Sequence, residues 1–253
     1  MAMATYLLAA VFLPLFPFSA VFNALFAGAQ HSLLRFGLLL AWPQIGLALL
    51  QTAPGPRPDW LPPLALATAA LYAFRGLAAR ELGQWTAYLA TSLWALLWLA
   101  GPGGLAGVAT QWHALGMSGP LALLALLGGG LERRFGGVYT GLYIGLGQSL
   151  PRLSGVFVTT AMASVALPLF PAFFTMLALL MTGAPAVSLA LLATWLLWSW
   201  ASARLVQGLV VGSADPDAAA YRVSDLSSLT AWAYAAALIA LTVGGVFLSG
   251  DLL

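Results

Sequence analysis

Long apolar runs separated by short polar breaks set the pattern of this chain. A helix that crosses the hydrocarbon core needs about 20 apolar residues. Leu61–Ala79, Gln84–Ala100, Gly107–Gly130, Pro185–Val210 and Leu226–Ser249 meet that length or come close, with Gln84–Ala100 at the short limit. No stretch shows the roughly ten-residue alternation of barrel strands. The pattern predicts an all-α polytopic transmembrane helix bundle of about 7–8 spans.

Two stretches are harder to divide. Ala4–Ala41 is apolar nearly throughout, and Pro14 and Pro17 predict a short N-terminal helix followed by a break. A longer span then runs from about Phe18 to Ala41, with Gln44–Gln51 as a short cap. The alternative is one span ending at Phe26 and a second from Ser32 to Gln51, kinked at Pro43. The other stretch is Pro151–Met181, where Pro168 and Pro171 predict two pieces meeting near Leu167 and Pro168. Such breaks are tolerated at membrane depth where protein or a watery cavity surrounds them, and transporters use them for ion sites.

Composition agrees. Of 253 residues, 62% are hydrophobic and 6% charged, far below the roughly 25% of a soluble domain. There is no cysteine, which excludes thiolate chemistry and disulfides, and no lysine, so all nine basic residues are arginine. Nine arginines against seven acids are too few for a nucleic-acid surface. Two histidines and no clustered carboxylates give no plausible metal-ligand set, and no cofactor motif is present. Trp94, Trp98, Trp195, Trp198 and Trp200 are expected in interface belts or against lipid. Gly128–Gly130 closes a helix, and Leu131–Leu150 reads as a Gly-rich loop carrying Glu132, Arg133 and Arg134. Gly141 to Gly145 has the spacing of a helix-packing motif. Orientation depends on the broken stretch. If it crosses once, Arg75, Arg80, Arg133, Arg134, Arg152, Arg204 and Arg222 share a face against Arg35 and Arg57, and that face is cytoplasmic by the positive-inside rule. If it crosses twice, the bias nearly vanishes. No signal peptide is evident, and the first hydrophobic stretch can itself direct insertion.

Ionisable residues inside spans are few, and each carries a functional reading because burying its charge is costly. His31 and Arg35 lie one turn apart in the first long span, and His113 lies early in the Gly107 span. The histidines can relay protons or simply satisfy a carbonyl. Arg35, Arg75 and Arg204 can snorkel to the interface. Arg80 and Glu81 can pair with each other or with a neighbouring subunit. Tyr88 adds a hydroxyl, and Thr86, Ser92 and Gln30 could join it and the histidines along a water path.

The order of landmarks then carries a resemblance. Leu33-Leu34-Arg35-Phe36 is followed by Arg80-Glu81-Leu82-Gly83-Gln84, Ala87-Tyr88, Leu131-Glu132-Arg133-Arg134, Pro151-Arg152-Leu153 and Ala163-Ser164-Val165-Ala166-Leu167-Pro168. This series resembles the second half of the antiporter-like membrane subunits of respiratory complex I, chain M type, over about Pro14–Met181. The same family supplies membrane subunits to group 4 hydrogenases and inorganic-carbon uptake complexes. The resemblance implies inverted five-helix repeats, here the end of the first (residues 1–101), the second (102–212) and a final helix (226–249). It also implies a discontinuous helix near Leu167–Met181, lipids and other membrane subunits as partners, and a bacterial inner membrane. The departures matter as much. The family's two lysines fall at Ala27 and Gly83, its histidine at Gly116 and its glutamate at Met176. The expected role is an accessory, non-proton-conducting membrane subunit of an energy-coupling complex, with no catalysis by this chain alone. The alternative is a conducting subunit completed by a partner chain.

Overall fold

The computed structural model describes residues 2–53, 57–100, 108–141, 145–212 and 224–250. Arg222 and residues 142–144 of the Gly141–Gly145 pattern lie outside them. The described residues form helices and no strand. The helices are α1 (Ala2–Phe12), α2 (Ser19–Gly28), α3 (Ser32–Thr52), α4 (Leu61–Ala78), α5 (Leu82–Ala95), α6 (Val108–Phe135), the single turn α7 (Leu146–Ser149), α8 (Pro151–Ser164), α9 (Pro171–Thr182), α10 (Pro185–Leu209) and α11 (Ser228–Ser249). Five of them, α3, α4, α6, α10 and α11, are long and apolar enough to span a membrane. A 3-10 turn over Leu96–Leu99 lengthens α5, which accounts for its marginal apolar run.

Three boundaries differ from expectation. The Phe18–Ala41 span is two helices, broken over residues 29–31, and α3 continues through Pro43 to Thr52. This is the alternative division, and it moves His31 out of a span to the N-cap of α3. The triple glycine does not end α6, which runs on to Phe135 and carries Glu132, Arg133 and Arg134 in its last turn. Gly129 is there for close approach: a Cβ on it would lie 2.3 Å from the Ser32 Cβ. The tryptophans also differ. Trp94, Trp98 and Trp198 are core residues, 0–1% exposed. Each indole N–H finds an acceptor: the Ser118 hydroxyl, the Leu13 carbonyl and the Ser92 hydroxyl, respectively. A buried indole needs such a partner, and the sequence cannot display one contributed from 24 to 106 positions away.

The broken stretch is two helices, α8 and α9, separated over residues 165–170. Between α8 and α9 the backbone of Ala166 and Leu169 turns left-handed, with φ of 62° and 80°. Side chains oppose that conformation at about 1–3 kcal/mol each, so the surroundings must hold it. They do so from two sides. The Trp195 indole donates to the Val165 carbonyl at 3.0 Å. Gly245 of α11 lies so close that a Cβ on it would meet the Leu169 carbonyl oxygen at 2.6 Å.

The connections gather one end of the bundle. Leu82 N–H donates to Val138 O, Thr140 N–H to Arg80 O, Gly141 N–H to Gly208 O and Gly147 N–H to Val210 O. The Asp225 carboxylate accepts from the N–H groups of Arg152 and Leu153 and so caps α8 from the far side of the chain. Burial opposes ionisation of Asp225, but the backbone N–H bonds from Arg152, Leu153 and Leu226 outweigh it and hold its carboxyl below the usual carboxylate range. Arg35, Arg75, Arg80, Arg133, Arg134, Arg152 and Arg204 all lie at this end. Arg57, bonded to the Trp98 carbonyl, is at the other. Arg35 therefore joins the group it was expected to oppose, because the break at residues 29–31 reverses the chain ahead of α3.

Candidate functional site

The α2–α3 break determines the first part of the site. Arg35 is 9% exposed and does not snorkel. Its Nε donates back across the break to the Ala29 carbonyl at 2.7 Å, and its Nη1 donates to Glu132 Oε1 of α6 at 2.6 Å. Its guanidinium also lies 5.7 Å from the Phe26 ring centre. A permanent cation taken from water needs this many partners.

Beside the pair is a cavity of about 170 Å³ lined by Asn23, Ala27, Arg35, Glu81, Gly83, Gln84 and Tyr88, among others. The structure thus brings together five residues singled out from the sequence, Ala27, Arg35, Glu81, Gly83 and Tyr88. A Cβ on Gly83 would sit 3.4 Å from both Arg35 Nη1 and Glu81 Oε1, which is ordinary contact. Space for a side chain exists there, and the sequence leaves it unfilled. Gln84 Nε2 donates to the Tyr88 hydroxyl at 3.0 Å, and Asn23 Nδ2 donates to Ser19 O and Thr91 Oγ1. The chamber is therefore lined by a fixed cation, one carboxylate, Glu81, and neutral dipoles.

The second part lies deeper, where α6 meets α9. His113, 1% exposed, has Nδ1 at 2.8 Å from the Thr175 hydroxyl. That hydroxyl donates to Pro171 O at 3.1 Å, so it accepts from the Nδ1–H of the histidine. Gly116, one turn on, faces Pro171: a Cβ there would come within 2.3 Å of the Pro171 Cβ. Met176 is fully buried in the apolar core. These two positions are filled by packing, unlike those at Ala27 and Gly83.

The remaining candidates do not join one path. His31 is exposed in an open recess of about 360 Å³ shared with Glu132 and Arg133. Thr86 back-bonds to Leu82 O, and Ser92 donates to Ala69 O on the far side of α5. Arg80 and Glu81 do not pair, because they face different cavities on opposite sides of the α4–α5 turn. Arg75 is exposed and lies over the Tyr72 ring at 5.2 Å. Arg204 is exposed near the end of α10. Among the described residues no group of His, Asp or Glu could hold a metal ion. Sequence reasoning missed Glu132 as the partner of Arg35, and Thr175 as that of His113. An acid in the last turn of a long apolar helix was the one available signal for the former.

No protein-family model matches this sequence, and no curated protein sequence matches it. Solved structures do. A chain of respiratory complex I from Thermus thermophilus superposes with a TM-score of 0.81 at 24% identity, over 97% of this chain and 54% of that one. A chain of the Mrp complex from Dietzia sp. DQ12-45-1b gives 0.71 at 19% identity, over 85% and 43%. One from the membrane-bound sulfane sulfur reductase, an archaeal respiratory membrane complex, gives 0.73 at 19%, over 96% and 52%. The chain shares its fold with subunits of these complexes. It spans about half the length of each matched chain. The expected discontinuous helix is present as α8–α9.

Proposed function

We propose that this chain is a membrane subunit of a multi-subunit energy-coupling complex and that its own residues carry no proton across the bilayer. One observation supports the second half most directly. The four positions that the family resemblance would fill with Lys, Lys, His and Glu hold Ala27, Gly83, Gly116 and Met176. The first two leave a cavity, and the last two are closed by apolar packing. Proton transfer needs groups that gain and lose charge, or a continuous water wire. Along α5 beyond the chamber, Leu89, Ala90, Leu93 and Trp94 are each 0–4% exposed, and the two hydroxyls among them, Thr91 and Ser92, donate to the carbonyls of Ala87 and Ala69 and cannot take up charge. The role left to such a chain is mechanical: to flank and support conducting subunits in the membrane. The clustered arginines support a cytoplasmic orientation of their end of the bundle by the positive-inside rule, and a bacterial inner membrane is the setting that the family resemblance implies.

The conducting alternative has one observation in its favour, the buried His113 beside the broken helix. Both readings are tested by measuring ion translocation by the intact complex that co-purifies with the chain. His31→Ala, His113→Ala and Glu81→Gln are each expected to leave the rate within twofold. A tenfold loss in any of them, with assembly intact, refutes the non-conducting role.

A further inference from the structure

A second cavity, of about 550 Å³, opens at the arginine-rich end between α4, α10 and the Thr140–Gly141 turn. It is independent of the chamber beside Arg35 and of the proposed role. Arg80 and Arg204 line it, no acid does, and neither guanidinium has a carboxylate partner among the described residues. Trp85, 2% exposed, also lines it, and its buried indole N–H has no acceptor. Two cations without a carboxylate partner and a donor without an acceptor among the described residues, all around one space, call for an anion with several oxygen acceptors.

The surface below the cavity narrows the choice. From Arg204 the exposed apolar residues Trp200, Leu196, Leu192 and Leu189 follow at steps of three and four along α10, and so share one helix face. At 1.5 Å per residue this stripe extends about 22 Å, roughly one bilayer leaflet. A free anion would need the arginines alone. A molecule with a charged head and a long apolar tail uses both features. We infer that this cavity and stripe form a binding site for an anionic glycerophospholipid, with its phosphate between Arg80 and Arg204 and an acyl chain along α10.

The test uses the full chain purified in detergent, with thermal unfolding followed against added phosphatidylglycerol, phosphatidylcholine of the same chain length, or inorganic phosphate at matched ionic strength. The expected result is stabilisation by phosphatidylglycerol at least tenfold lower in concentration than by phosphatidylcholine, and none by phosphate over the same range. R80Q/R204Q should abolish the tenfold preference, and R75Q should keep it. Should the double variant not fold, R204Q alone, at an exposed position, is expected to reduce the preference severalfold. Retention of the preference in these variants overturns the site. Equal stabilisation by phosphate overturns the lipid assignment. So does a photo-cross-linker at Trp200 that, in the native complex, captures an acidic protein segment instead of lipid.

Discussion

Replacing Glu132 with glutamine isolates the contact that closes the α2–α3 break. The pair is short, 2.6 Å from nitrogen to oxygen, and its side chains are only 11% and 25% exposed. Two unit charges about 4 Å apart attract by roughly 4 kcal/mol at an effective dielectric constant of about 20. Desolvation offsets much of this, and a fully buried pair that loses one partner costs about 3–5 kcal/mol, whereas an exposed one costs about 1 or less. Partial burial places Glu132→Gln between them, at about 2 kcal/mol of destabilisation. Arg35→Met should cost at least as much, since it also removes the bond to Ala29 O that ties α2 to α3. The double variant should cost less than the sum of the single ones, by about 1.5 kcal/mol. Equilibrium unfolding in mixed detergent micelles, at low and high salt, measures all four corners of the cycle. Additive effects, or a Glu132→Gln loss below about 0.5 kcal/mol that salt removes, would show the pair to be a screened surface contact.

Further outcomes follow from other parts of the molecule. Gly116→Ala must displace α9, because the Pro171 ring that a Cβ would strike at 2.3 Å is rigid; a loss of about 1–3 kcal/mol is expected in the same unfolding assay. Asp225→Ala removes a cap and should cost about 1 kcal/mol. Since the native Asp225 pKa is lowered, its stabilisation is present above the unfolded value near 3.9 and fades as pH falls through the native one. Acid titration of the wild type should therefore loosen α11 only below about pH 4, a step that Asp225→Asn lacks. The chain has no cysteine, so single cysteines report topology directly. Ser149→Cys should react with an impermeant maleimide from the cytoplasmic side and Asp59→Cys from the opposite side; the reverse pattern rejects the orientation.

The helices were legible where a single property decided them. Apolar length alone located α4, α10 and α11, and prolines at 168 and 171 marked the interruption between α8 and α9. The break at residues 29–31 is marked in the sequence only by the short polar run Gln30-His31-Ser32, with no proline in it, whereas Pro14 and Pro17 point to a boundary further upstream. What stabilises it is Glu132, 97 positions away, and such a partner is visible only after folding. Likewise, an apolar helix can end at three glycines or use them for close approach, and only Ser32 lying against Gly129 decides between these. For the site, the emptied positions could be read from landmark order. Their different fates could not: Gly83 borders open space, while Gly116 is pinned against a proline ring.

The last helix touches α6, α8 and α9, and it and the segment leading into it hold the interrupted stretch at two points, through the Asp225 carboxylate just ahead of α11 and through Gly245 at the left-handed turn. It acts as a splint set across a fracture. Articulation of the two halves would need that splint to come away first, stripping the acceptors from the start of α8 and exposing the strained carbonyls beside Leu169. The joint is thus braced against hinging.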